Sequence, residues 1–407
     1  MLRYEIKKVF TKPLNKAVLL ILALALAAIT FFAAASVEYV DAEGQSSCGI
    51  AAARRLREEK NGWKGDVTEQ TLLKALRENI RINDSEEYLS KDFQENNKAY
   101  SKKQGFSDIR NMINLAFGGF QEYDYYKIDS VKETEVRKFY ENRIHNLKEW
   151  LYSGEAAGLF TDEKKDFLIR QYESLETPFY YEYADGWKAL LEYATPLIAL
   201  LILITGFLVS GIFSDEFQFN ADAVYFSSKL GRNKGVISKI EAGFLIISVV
   251  YWTVMLLYSL ILFFILGADG ADCAIQTGMA GWKSFYNITY FQEYLLTVFG
   301  GYLGSLFILT LSMLASAKLR SALLAVTIPF ILLFLPSFFN GILPLLNLLG
   351  LLPDRLIRIS EAISYFNLYQ IGGTVVGAIP ILFTLYLILY CLLLPVLYRT
   401  YRKAEIR

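Results

Sequence analysis

Six apolar stretches punctuate the chain, each long enough to cross a bilayer. Crossing takes roughly 20 helical residues, because every backbone polar group within hydrocarbon must be satisfied inside the segment. The stretches are Ala17 to Ser36, Tyr193 to Phe213, Ala242 to Ala268, Leu295 to Ala317, Ala322 to Phe339 and Gly373 to Tyr398, none with a charged residue in its interior. Between the first two lies a long polar block, residues 37–192, in which apolar positions recur at helical spacing: Leu72, Leu76 and Ile80, then Val136, Phe139, Ile144, Leu147 and Leu151. Helix starts are predicted at Asp66 with Glu69, at Ser130 with Glu133, and at Thr161 before its acidic residues, where side-chain oxygens cap free amides and carboxylates suit the positive helix end. The predicted fold class is an all-α polytopic membrane protein with six transmembrane helices and a mostly helical extracytoplasmic domain inserted between spans one and two. Residues 1–16, 214–241, 340–372 and 399–407 complete it as an amphipathic entry segment, a loop segment, an external re-entrant or interfacial element, and a tail.

Charge fixes the expected orientation, since Lys and Arg in short loops resist translocation. Arg3, Lys7, Lys8, Lys12, Lys16, Lys229, Arg232, Lys234, Lys239, Lys318, Arg320, Arg399, Arg402, Lys403 and Arg407 all fall on one side; the opposite short loops hold only Lys283, Arg355 and Arg358. Both termini are therefore expected in the cytoplasm, in a cell membrane, with the inserted block outside. The formal charge of zero conceals a split. Residues 37–192 carry 23 Lys and Arg against 30 Asp and Glu, a net −7, leaving 18 against 11, a net +7, elsewhere. Neutrality thus sums an acidic domain and a basic membrane part, and gives no footing for a nucleic-acid partner. An A-x-A site at Ala33-Ala34-Ala35 raises signal-peptide cleavage as an alternative, but an apolar run longer than an ordinary signal core, followed by five more spans, favours a retained anchor.

Candidate chemistry is sparse. With one His and three Cys, a His/Cys metal site and a disulfide scaffold are both disfavoured. Cys48 and Cys273 both fall near span ends outside the membrane and form a conceivable disulfide, whereas Cys391 lies inside the sixth span. His145 reads as a solvated surface residue. The aromatic runs Tyr123 to Tyr126 and Phe179 to Tyr183 read as packing of the inserted domain, marking with Trp187 its approach to the headgroups, rather than as a ligand surface. The spans lack the ionisable residues that intramembrane catalysis and proton relays use. No Gly-Lys dipeptide occurs, so the phosphate-cradling G-x-x-x-x-G-K-[ST] loop is absent. The expectation is a chain that is not itself an enzyme and binds no cofactor directly, so that energy for any movement of cargo would come from another subunit.

The segment from Ser214 to Lys239 predicts a short helix, capped by Asn220 or Asp222, running to Leu230 and stopped at Gly231. With it, the chain resembles a permease subunit of the ABC transporter superfamily, in the type-2 exporter membrane-domain family. Tyr4-Glu5-Ile6-Lys7-Lys8-Val9-Phe10 resembles that family's amphipathic entry helix. Phe213 and Glu216, followed by a short helix and Gly231-Arg232, resemble its cytoplasmic coupling segment, and the 12-residue apolar run Ile342 to Pro353 resembles its re-entrant external element. The small Gly-Thr pair common after the coupling glutamate is missing; Asn220-Ala221 stand nearby. The resemblance implies an ABC ATPase subunit carrying ATP and Mg, a second permease copy or related permease, and ATPase-coupling roles for Glu216, Asp222, Lys229, Gly231 and Arg232. Gly300, Gly301 and Gly304 contain a G-x-x-x-G pattern for close packing, foremost within one subunit, and Pro329 and Pro336, with Pro380 and Pro395, mark kinks or a pathway. The implied cargo is amphipathic or hydrophobic: a peptide, drug or lipid. The competing reading is a membrane-anchored ligand-binding or sensing protein acting through the external domain.

Overall fold

The computed structural model describes residues 1–339 and 346–405. Six membrane-spanning helices occupy Pro13–Ala35, Asp185–Ser210, Val236–Leu266, Tyr290–Leu319, Ala322–Phe334 with its 3₁₀ continuation Leu335–Phe339, and Ala378–Arg402. A large, mostly helical domain is inserted between the first and second. The first helix, residues 402–405 and the links between spans two and three and between spans four and five lie at one end of the bundle, the terminal end, and the inserted domain caps the other.

Spans two and four make the core of the bundle. Their most apolar windows are 61% and 67% buried, against 17% for span six, so the outer helices turn apolar side chains to lipid. Leu20, Leu24 and Phe31 of span one, Leu323 and Phe330 of span five, and Leu387 and Leu392 of span six are exposed in this way. Small residues set the crossings, as expected where packing rather than water exclusion joins helices. A Cβ at Gly301 would stand 2.6 Å from Tyr251 Oη and 2.7 Å from Ile198 Cδ1, and one at Gly206 would stand 2.9 Å from Pro329 Cγ. Gly300 and Gly304 face Leu356, Ile357 and Ile359, so the G-x-x-x-G pattern seats the external element of the same chain on span four. Pro336 is buried in the 3₁₀ turn that ends span five.

The apolar run before span six contains more than helix. Leu368–Ile371 and Thr374–Gly377 pair as an antiparallel hairpin around Gly372-Gly373, both at positive φ (57° and 84°), and the helix begins only at Ala378. A Gly-Gly turn between β-branched residues is a hairpin signal that the apolar pattern masked. Of the re-entrant run, residues 342–345 lie outside the described residues; the rest forms the short helix Leu346–Leu349 and the 3₁₀ turn Pro353–Leu356.

In the inserted domain, Thr68 rather than Asp66 caps the helix Glu69–Asn83, taking the Thr71 N–H at 3.4 Å. Lys132 rather than Ser130 precedes the 3₁₀ turn Glu133–Lys138, and Thr161 precedes the helix Asp162–Glu173. Phe179, Tyr181 and Tyr183 are buried, His145 is exposed 3.2 Å from Glu149, and Tyr125 lies under the Arg110 guanidinium. Trp187 is buried at the start of span two, its Nε1 donating to Ala268 O at 3.0 Å. The conceivable Cys48–Cys273 disulfide is not formed: Cys48 is exposed, Cys273 is buried against Glu182 O, and both are free thiols.

Two buried polar joints tie the domain to the bundle. Arg143 donates to Trp282 O and Ser284 O at 2.9 and 3.0 Å in the loop between spans three and four, with its guanidinium over Tyr172. Lys60 and Lys188 share Asp108 and Asp185, with contacts of 2.6 to 3.2 Å. Span two starts inside this second joint, at Asp185, and its next residue leaves no room for a side chain. A Cβ on Gly186 would lie 2.2 Å from Gly267 O. Gly186→Ala is expected to destabilise by about 1–3 kcal/mol, as overpacking against backbone does, read as a lowered thermal midpoint of the purified protein.

Candidate functional site

At the terminal end, the entry helix Leu2–Thr11 lies across the bundle. Span one opens at Pro13: the residue before it, Lys12, is driven to an extended conformation (ψ 126°), and Asn15 Nδ2 closes the corner on Val9 O at 2.8 Å. The helix turns Glu5 and Val9 inward, and Glu5 enters a buried ionic cluster. Lys239 Nζ, at the first turn of span three, donates to Glu5 Oε2 at 3.1 Å, to Glu216 Oε1 at 2.8 Å and to Ile212 O at 2.5 Å. Lys8 Nζ reaches the same Glu216 oxygen at 2.9 Å, and Tyr401 Oη from span six donates to Glu216 Oε2 at 3.1 Å. Beside it, Lys12 pairs with Asp215 at 2.6 Å. Two carboxylates and two ammonium groups balance, which is what allows charges to persist where Lys239 is 1% and Glu216 5% exposed. Burial pushes the Glu216 carboxyl up, but Lys239 and Lys8 outweigh it and hold it below its ordinary value. Aromatic rings wall the cluster, with Phe213, Phe226 and Phe217 centred 4.9, 5.2 and 6.0 Å from the Tyr401 ring.

The link between spans two and three is built on this anchor. A single turn, Asp215–Gln218, ends at Asn220, which adopts the left-handed conformation (φ 54°) that Asn tolerates better than most residues. The following helix is Asp222–Ser227, shorter than predicted. Ser228 is extended (ψ 143°), and Gly231–Gly235 forms a wide π turn that runs straight into span three. Gly231 therefore opens a helix instead of stopping one. A Cβ there would fall 1.8 Å from Tyr225 O, so glycine is required by the close approach of the two turns. Facing away from the bundle, Phe219 and Val224 are 71% and 75% exposed, and Leu230 is exposed beside them.

The five predicted residues thus divide. Glu216 and Asp222 are buried, Glu216 inside the cluster. Lys229 and Arg232 line an open concavity with Arg399, Arg402 and Lys403 of span six, and Gly231 sets the turn between the two groups. Gly300, Gly304, Pro329 and Pro336 lie away from this end, in the contacts described above. Glu5, Lys8, Lys239 and Tyr401 escaped sequence reasoning because each sits among residues that charge rules explain without a partner. The readable signal was Glu5, an acid on the inward stripe of an amphipathic helix shared with Val9. Compared with protein-family models, with curated proteins and with solved structures, the chain finds no match.

Proposed function

We propose that this chain is the membrane-spanning permease subunit of an ATP-driven exporter of the ABC class. In this reading it pairs with a second permease, identical or related, and separate ATPase subunits hold ATP and Mg at the basic, cytoplasmic end. The observation that carries it is the segment between spans two and three, which presents Phe219, Val224 and Leu230 outward while Glu216 ties its root to the entry helix, span three and span six. A push on the helix Asp222–Ser227 is then shared by all three elements, because Glu216 is hydrogen-bonded directly to Lys8, Lys239 and Tyr401 and charge-assisted bonds of this kind resist separation. The six apolar stretches, uncharged from the first (Ala17 to Ser36) to the last (Gly373 to Tyr398), suit an amphipathic or hydrophobic cargo such as a peptide, drug or lipid.

Phe219→Asp with Val224→Asp tests it. Both side chains are largely exposed, so the isolated chain should keep its thermal midpoint within about 0.5 kcal/mol of stability. Recovery of an ATPase subunit on purification from native membranes in mild detergent should fall at least tenfold. Undiminished recovery by the double variant, or none by the wild type, would remove the proposal.

A further inference from the structure

Beside the ionic cluster, a concavity gathers basic residues that the orientation rule places on this side of the membrane but does not require to converge on one recess. Its lining is Ser228, Lys229, Arg232, Asn233, Arg399, Arg402 and Lys403, around a volume of about 850 Å³. Five cations converge there without a carboxylate in the wall, and among the described residues none of the five is in an ion pair. The carbonyl end of span six accounts for Arg399, Arg402 and Lys403, since cations are favoured at a helix C-terminus. It does not account for Lys229 and Arg232, which arrive from another element, Lys229 from the link after the helix Asp222–Ser227 and Arg232 from the π turn. Arg232 is fixed there, Nη1 donating to Arg402 O at 2.7 Å and Ala404 O at 3.1 Å with the guanidinium 4.8 Å from the Phe226 ring centre. Like charges gathered into one recess repel each other, and an anion with several acceptor oxygens relieves that repulsion while using their donors.

The surroundings say where such an anion comes from. Ile237, on the first turn of span three, and Leu392 and Val396, in the last turns of span six before the cations, are all exposed and apolar. The recess therefore lies where lipid-facing surface gives way to charge, the position of a phospholipid headgroup whose acyl chains run along these side chains.

We propose that this recess binds the phosphate of an anionic phospholipid, with Arg399, Arg402, Lys403, Lys229 and Arg232 as its cationic ligands and Ser228 and Asn233 as neutral partners. The site does not depend on the ATPase reading, because its ligand is a membrane component and its chemistry is complete within this chain.

The test is native mass spectrometry of the full chain in non-ionic detergent, titrated separately with phosphatidylglycerol, phosphatidylcholine and inorganic phosphate. The wild type should retain one phosphatidylglycerol in clear preference to phosphatidylcholine. Each cation removed should weaken that binding about fivefold, so Arg399→Gln with Lys403→Gln should lose roughly 25-fold. Lys91→Gln with Lys138→Gln, two exposed cations of the inserted domain, should change nothing. Equal retention of the two lipids, or unchanged phosphatidylglycerol binding in the Arg399/Lys403 variant, would overturn the proposal. So would saturation by inorganic phosphate as readily as by lipid, or an acidic protein chain held through these cations in place of phosphatidylglycerol.

Discussion

Glu216→Ala is expected to destabilise the protein by about 3–5 kcal/mol, the range for removing one partner of a buried ion pair. The cause lies with what remains. Lys239, almost wholly enclosed, keeps only Glu5 and the Ile212 carbonyl, and Glu5, already paired with Lys8 at 3.3 Å, is left as the single carboxylate for both lysines. Tyr401 Oη loses its acceptor at the same time. A lowered thermal midpoint of the purified chain in detergent measures this. Combining Glu216→Leu with Lys239→Met should cost less than the two single changes summed, because apolar replacement of both partners leaves no orphaned charge. The pH response has a definite sign. A carboxyl held below its ordinary value of 4.5 stabilises fully above that value, and its contribution disappears as pH falls through the folded-state value. The cluster should accordingly be indifferent to pH from 6 to 8 and loosen only under strong acid.

Asp108→Ala is expected to have an effect of similar size at the opposite end, about 3–5 kcal/mol. Asp108 bridges Lys60 at 3.0 Å and Lys188 at 2.7 Å, and Tyr181 Oη donates to it at 3.2 Å. Burial alone would raise this carboxyl; Lys188 and Lys60 overcome that and hold it well below its usual range, while Asp108 and Asp185 overcome the burial of Lys60 and raise its ammonium. Without Asp108, two lysines share Asp185, and the helix Ile50–Asn61 loses its tie to the helix Ser107–Phe117. Hydrogen exchange should show the loss at residues 50–61 and 107–117 with the bundle protected, separating this variant from Glu216→Ala. The depressed Asp108 contributes fully above its ordinary value of 3.8, and the raised Lys60 fully below its ordinary 10.5, so this joint too should hold across neutral pH.

Hydrophobic runs made the six spans and the inserted domain legible, because bilayer thickness imposes a length that few other constraints imitate. The joints were not legible in the same way. Lys239 satisfied the rule that basic residues flank spans, and nothing local to it reveals that its ammonium turns inward to residues 5 and 216. Lys60, Asp108, Asp185 and Lys188 were absorbed into an acidic surface average, and Asp185 belongs to a helix that starts before its apolar run. The hairpin at Leu368–Gly377 was hidden because Val375 and Val376 serve strand and span equally in a hydropathy reading. In the candidate site, Glu216 stood out by resemblance. Its side chain is buried in the cluster, and the exposed side chains of the same segment are Phe219 and Val224, which hydropathy and charge do not single out.

The most direct test of the central claim is photo-crosslinking from position 224 in native membranes, with a benzophenone side chain in place of Val224 and another in place of Lys91 on the inserted domain. An ATP-hydrolysing polypeptide captured from 224 and not from 91 is the predicted result. Capture of the same polypeptide from neither position, or from 91 alone, would contradict it.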